Sequence, residues 1–330
     1  MDLSEIRNSY SGNSVVGRIK RSPRWNDDEG VASTIGTIMS LLVFLTFMGM
    51  FTNQFVPVWM SDNESAHMAT VVQQMIYLKS QVDGLVADYS NSLLAPTPVF
   101  VPITLHAQGI PIFAAPTAGI LQFGSQSTTG YPSFNATFVG DEQTLSTNDD
   151  GHAGGYVDFY APNRYYVEQH LTYDCGALIL NQSDGEYIIA GLQFSVTNIV
   201  AGADTSRVVK LTQVSMLGLD KTVGGTGTKG IYVDLLYANT NAYESDVGAD
   251  LTFTIVSKHG NAWLTYFNKA LNNSMAGLTY DTDFSIGPLT LHDSEGTQND
   301  YYTLTVTIKD VNVLDHTHAT ILVTLGEVAP

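Results

Sequence analysis

The sequence predicts a mainly β protein carried on a long N-terminal α-helix: an apolar helix able to cross a membrane, followed by an antiparallel β-sandwich head. Three observations carry that reading. Residues 30–61 hold no charged side chain. Residues 68–89 then place apolar side chains at alternating spacings of three and four. Beyond residue 95, β-branched and aromatic runs are separated by clusters of Gly, Asn and Asp, the texture of many short strands. The chain accordingly divides into a cytoplasmic leader (1–29), a membrane helix (30–60), an amphipathic helical stalk (61–95) and an extracellular head (96–330).

Charge sets the direction of the first two parts. Five of the fourteen basic residues, Arg7, Arg18, Lys20, Arg21 and Arg24, precede Gly30. From Gly30 onward 9 basic residues face 27 acidic ones, so the whole net charge of -18 belongs to the chain beyond the leader. Such an acidic surface disfavours nucleic acid, whose phosphates need Lys and Arg. As a helix, residues 31–51 would span roughly 31 Å, about one bilayer core. The basic residues before the run and the lack of any after it until Lys79 place the N-terminus in the cytoplasm and the head outside. Trp25 and Trp59 flank the run, where amphipathic rings sit at the two interfaces. A cleavable secretory signal has an apolar region of about 7–15 residues, shorter than this one. Ser33, Gly36, Thr37 and Ser40 fall at i, i+3, i+4 and i+7, so small residues share one helical face where another helix could approach closely.

The stretch from Glu29 to Phe51, "EGVASTIGTIMSLLVFLTFMGMF", resembles the N-terminus of archaeal type IV pilins and pilin-like proteins. Gly30, Val31, Ile35 and Gly36 carry the likeness, with Ala32, Ser33 and Thr34 in place of the usual Ser-Pro-x. The resemblance implies a leader cut by a prepilin peptidase between Glu29 and Gly30, and helices that pack into a surface filament or membrane-bound assembly with other pilin-like subunits. Glu29 stands where a Lys or Arg often precedes the cut, and Thr34 stands where bacterial pilins carry a Glu. "ITLHAQGIPIFAAPTAGILQF", "NRYYVEQHLTYDCGALILNQSDGEY" and "NAWLTYFNKAL" look similar to segments of archaeal surface proteins with such N-termini.

After the membrane run, Met68, Val71, Met75, Leu78, Val82, Leu85 and Tyr89 form one apolar seam on a helix over about 62–94, packed on the protein's own head or on neighbouring subunits. Pro57 predicts a kink or interruption at the junction, and Ser61 with Glu64 a capping box that restarts the helix. Residues 95–98, Ala-Pro-Thr-Pro, end it. Strands are expected at 99–105, 119–123, 177–181, 187–190, 193–197, 208–217, 231–237 and 251–256, with two more in "YYTLTVTIK" and "THATILVTL" joined through 310–316. One helix interrupts them: Asn261 caps it, Gly277 lies past its end, and Trp263, Phe267 and Leu271 dock it on a sheet.

The sequence carries few residues in a pattern that names a chemistry. His316 and His318 lie two apart and could share a face as metal ligands or as solvent-facing polar residues. The loops 148–150 and 281–283 offer oxygen atoms suited to calcium but lack EF-hand spacing, so solvated turns are the default. "GGTGTKG" at 224–230 lacks the phosphate-loop spacing and reads as a hairpin turn. Cys175 is the only cysteine and reads as a small buried residue. No nucleophile elbow or zinc motif occurs, and no cofactor, metal or catalytic set is expected. The expected function is therefore structural, with adhesion through the head as one form of it, and the membrane, a prepilin peptidase and other subunits as partners. The alternatives are an uncleaved membrane-anchored protein whose head binds a sugar or peptide, and an anchored extracellular hydrolase.

Overall fold

A computed structural model describes residues 27–92, 96–126, 132–147, 153–201, 204–274, 276–292 and 300–327. Helix α1 (Asp27–Ser92) runs for 66 residues with Pro57 inside it. The expected interruption and restart do not occur. Proline forfeits one backbone bond, that to the carbonyl of Asn53, and the helix continues on either side of it. The chain nevertheless divides into two compact units at that place, Met1–Asn53 and Gln54–Pro330.

In the second unit the rest of α1 is followed by β1 (Val99–Thr104), β2 (His106–Ala107), β3 (Thr117–Gly124), β4 (Ser133–Val139), β5 (Thr144–Ser146) and β6 (Ala153–Gly154). Next come β7 (Tyr156–Ala161), β8 (Gln169–Asp174), β9 (Ala177–Gln182), β10 (Gly185–Ala190), β11 (Phe194–Ala201), β12 (Asp204–Leu217), β13 (Lys221–Gly225) and β14 (Thr228–Ser257). Helix α2 (Gly260–Asn272) precedes β15 (Phe284–Ile286), β16 (Thr290–His292) and β17 (Tyr301–Glu327). Among the described residues these form two sheets, one ordered β11-β12-β17-β14-β4-β5 with β1, β6, β15 and β16 attached, the other β10-β9-β8-β7-β3-β13 with β2 attached. The head is thus the expected two-sheet β structure on a long helix. Its pairing is antiparallel except where β12 runs parallel to β17.

Two expectations merge. The segments 231–237 and 251–256 belong to the single strand β14, and the last two expected strands to β17, paired along their length through register shifts at 235/237, 244/249 and 249/251. Those irregularities absorb the polar residues that made each strand look like two. The Gly-rich stretch 224–230 is not a hairpin: β13 pairs with β3 in one sheet while β14 pairs with β1 and β17 in the other. It carries the chain between sheets.

The long strands serve two cores on opposite faces. On β12, Val209 and Leu211 enter one core while Val214 and Met216 enter the other, a change of parity along an unbroken strand. The first core combines the α1 seam, Met68, Val71, Met75, Leu78, Val82 and Leu85, with strands of both sheets. The second holds α2, whose Trp263, Phe267 and Leu271 are buried there. Asn261 does not cap α2. The N-cap is His259 without a side-chain cap bond, and Glu186 on β10 accepts the N–H groups of Asn261 and Ala262 at 2.9 and 3.2 Å. A carboxylate brought from another strand thus satisfies the helix's first donors.

Candidate functional site

The processing and helix-packing residues singled out in the sequence lie in the first unit. Glu29 and Gly30 fall within the first turn of α1. From Val31 to Met50 every large apolar side chain except the half-buried Met48 is 47–64% exposed, so the helix is apolar on every side and bare. Among the described residues this is the one helix long and apolar enough to cross a membrane. Ser33, Gly36, Thr37 and Ser40 are all exposed, and a Cβ added at Gly36 would meet nothing within 4 Å. Thr37 Oγ1 donates to the carbonyl of Thr34 at 2.8 Å and Ser40 Oγ to that of Thr37 at 2.9 Å. These two hydroxyls therefore present no unsatisfied donor to an apolar surrounding.

In the second unit α1 fastens to the head through a polar row that the sequence did not reveal. Asn63 Nδ2 donates to the Gln108 carbonyl, His67 Nε2 contacts the Thr104 carbonyl at 2.8 Å, and Gln74 exchanges hydrogen bonds with Thr104. Glu64 is fully buried, and its carboxylate accepts Thr117 Oγ1 at 2.6 Å and the N–H groups of Arg164, Tyr165 and Tyr166 at 2.8–3.1 Å. Its expected role in a capping box is replaced by this one, because no helix starts there. Burial works to raise the carboxyl, but the Thr117 hydroxyl and the three amides outweigh it and hold it below its ordinary value.

A cleft of about 720 Å³ opens in the head, and none of the candidate site residues named in the sequence lines it. Alternation on β8 builds it: Leu171 and Tyr173 enter the first core while His170, Thr172 and Asp174 face the cleft. Gln122 on β3, Pro132 before β4, Tyr156 and Asp158 on β7, Asn181 on β9, and Lys258 and His259 before α2 complete the lining. Thr172 Oγ1 donates to Asp158 Oδ1 at 2.7 Å. His259 places Nδ1 3.1 Å from Glu186 Oε2 and Nε2 3.2 Å from Thr172 Oγ1. This has the outline of an acid, histidine and hydroxyl triad. The Thr172 hydroxyl is shared between the Asp158 carboxylate and the His259 ring. The cluster is a polar network suited to holding hydroxyl and amide groups. Burial pushes the Asp174 carboxyl up, opposed by the Cys175 thiol and the Ser257 hydroxyl.

The other candidates are occupied by the fold. His316 is not solvent-facing: it is 3% exposed with Nε2 2.6 Å from Gln213 Oε1, and His318 meets Ser215 at 2.8 Å. Burial, with His318 beside it, pushes His316 down to about 4. Both lie on the strand face of Leu314, which carries the buried second core; His316 is buried there, while His318 is half-buried. Among the described residues no cluster of His, Cys, Asp and Glu could hold a metal. Asp283 is tied to the Thr279 amide and pairs with Arg207 at 2.7 Å, and Lys309 Nζ donates to the Asp281 carbonyl, so cationic side chains already serve loop 281–283. Loop 148–150 lies outside the described residues. Cys175 is buried, and burial pushes its thiol well up.

No protein-family model matches the chain, and no curated protein or solved structure matches it either.

Proposed function

We propose that the chain is a pilin-like subunit of a cell-surface filament or membrane-bound assembly, anchored by residues 30–60 with its N-terminus in the cytoplasm and its head outside. The observation that carries this is the contrast within α1: apolar on all sides and bare from Val31 to Met50, then one-sided and packed on its own head from Met68 onward. A helix apolar all round needs lipid or other helices as its surroundings. The stripe of Ser33, Gly36, Thr37 and Ser40 supplies the close-approach face, and cleavage before Gly30 by a prepilin peptidase would free the helix for assembly. The decisive measurement is the mass and N-terminal sequence of the protein from a host with an archaeal prepilin peptidase. A start at Gly30 is expected, whereas a retained leader would reduce the segment to an anchor. Gly36→Leu should then abolish filament recovery while leaving membrane insertion unchanged.

The head cleft favours a second reading, a membrane-anchored binding protein for a sugar or peptide. Its carboxylates, amide and hydroxyl suit hydroxylated or amide-bearing ligands. Titration with a panel of glycans and peptides tests it, and Asp158→Ala should abolish any binding seen.

A further inference from the structure

We propose that the hairpin 110–114 dips into the outer lipid–water interface and fixes how the head stands on the membrane; this rests on the anchoring reading above. The occupant is the interfacial layer of the bilayer itself, and the attraction is apolar.

Residues 107–123 contain no charged side chain. At the tip of this stretch Pro111, Ile112 and Phe113 are all exposed, Ile112 completely so at 101%. The tip is a fixed turn. Ile110 N–H donates to the Ala114 carbonyl at 3.0 Å, and the Ile110 carbonyl accepts the N–H groups of Phe113 and Ala114 at 3.1 and 2.9 Å. Gly109 permits the closure, since a Cβ there would lie 2.4 Å from the Ala114 carbonyl oxygen. Ile112 has φ +73, a backbone conformation that β-branched residues avoid and that Gly or Asn adopts readily. A strained turn carrying a fully bare isoleucine gains nothing from packing, which directs attention to a surface outside the chain.

The tip's position supplies that surface. Both stems are tied to α1, through Asn63 to Gln108 and Glu64 to Thr117, only four and five residues beyond Trp59. That is about 6–8 Å along the helix axis. Phe55, Val58 and Trp59, at the end of the uncharged run, are 45–57% exposed, and Trp59 is the kind of residue that marks an interface. On the same stretch Val56 and Met60 are buried, at 3% and 1%. The fold thus reaches down to the end of the apolar run. The loop 164–167, held by the same Glu64, adds exposed Tyr165 and Val167. Two loops with bare apolar groups therefore meet on one carboxylate at this level. Arg164 is exposed there, but so are Asp62 and Glu168, so net charge gives no attraction to anionic lipid.

The test uses the full chain in phosphatidylcholine vesicles, with Cys175→Ala to remove the native thiol. An environment-sensitive fluorophore is attached at Ile112→Cys or, for comparison, at Val247→Cys, which is 88% exposed and belongs to neither loop. Quenching by shallow nitroxide-labelled lipid should be at least threefold stronger at position 112 than at 247, with the reverse order for a water-soluble quencher. Neither 0.5 M salt nor added anionic lipid should change it. Equal quenching at the two sites in protein that floats with the vesicles would overturn the proposal while leaving the anchor intact. Failure to float with vesicles would overturn the anchoring reading and the proposal with it.

Discussion

The two stretches of α1 share a backbone and differ in who covers them. From Val31 to Met50 large side chains stand bare on every side, whereas from Met68 to Val86 one seam is buried and the remaining faces carry polar groups. The first stretch has no charge to satisfy, and among the described residues its large side chains lie mostly open. The second is fixed by apolar burial, and hydrogen bonds at Gln74 and at Asn63, Glu64 and His67 just before it fasten the helix to the head. Helical periodicity alone therefore does not say what a helix is for. The distribution of polar residues around it does, and a substitution that breaks one stretch should spare the other.

The largest effect should come from Glu64→Ala. It removes the acceptor for one hydroxyl and three amides in a buried place, and hydrogen bonds to a charged group contribute about 1.5–3 kcal/mol each without adding fully. We expect a loss of about 4 kcal/mol in urea unfolding of the detergent-solubilised chain, with Glu64→Gln losing less. A loss below about 1 kcal/mol would mean that the clamp does not hold the head to the helix. Next, Leu78→Ala should lose about 3 kcal/mol, as large-to-small changes in cores do. Leu42→Ala, in the bare stretch, should leave head unfolding unchanged. Equal losses from the two would erase the distinction between the stretches.

Acid should act on the second unit in two windows. His316 is pushed down to about 4 from an ordinary 6.5, so below pH 6.5 the unfolded chain takes up a proton that the folded chain refuses. Stability should therefore fall by about 2 kcal/mol between pH 7 and 5, and level off for this group below about pH 4. His67, lowered by burial, acts in the same direction, so His316→Asn should remove part of the slope rather than all of it. Glu64, held below its ordinary value, adds a further loss only as the pH falls beneath the carboxylate range. A melting temperature that does not move from pH 7 to 5 would count against a neutral buried His316.

Much of the scaffold was legible from periodicity. Six of the seven seam residues, Met68, Val71, Met75, Leu78, Val82 and Leu85, are buried, and Tyr89 packs beside them. Runs of β-branched and aromatic residues located β1, β3, β9 and β12 within a few residues. What stayed hidden depends on partners distant in sequence. Glu64 suggested a capping box because Ser61 is near, but its true partners lie 53 to 102 residues away. The cleft was missed with β8, although "QHLTYD" alternates polar and apolar side chains, because the segment was too polar to suggest a strand with one buried face. His316 and His318 were correctly placed on one face, yet alternation cannot tell which face the second core covers. The Gly-rich run at 224–230 shows the same limit, since a crossover between sheets and a hairpin use the same residues.

The smallest effect concerns the bare surface that the comparison leaves over. If Ile112 served the fold, replacing it with glycine would destabilise the head. Its side chain is completely exposed and makes no packing contribution to lose, while its backbone sits at φ +73. An L-residue held in that region costs about 1–2 kcal/mol, and glycine escapes the strain while adding freedom to the unfolded chain, which offsets part of the gain. Ile112→Gly should therefore leave the head unchanged or raise its stability by about 1 kcal/mol in detergent. In vesicles the same substitution should lower protection of the 107–117 backbone from hydrogen exchange, because the tip then has less apolar surface to hold in the interface. A clear loss of stability in detergent would place Ile112 with the buried seam of α1, as a residue that the fold itself requires. A gain in detergent joined to a loss of protection in vesicles would place it with Val31 to Met50, as apolar surface whose surroundings lie outside the chain.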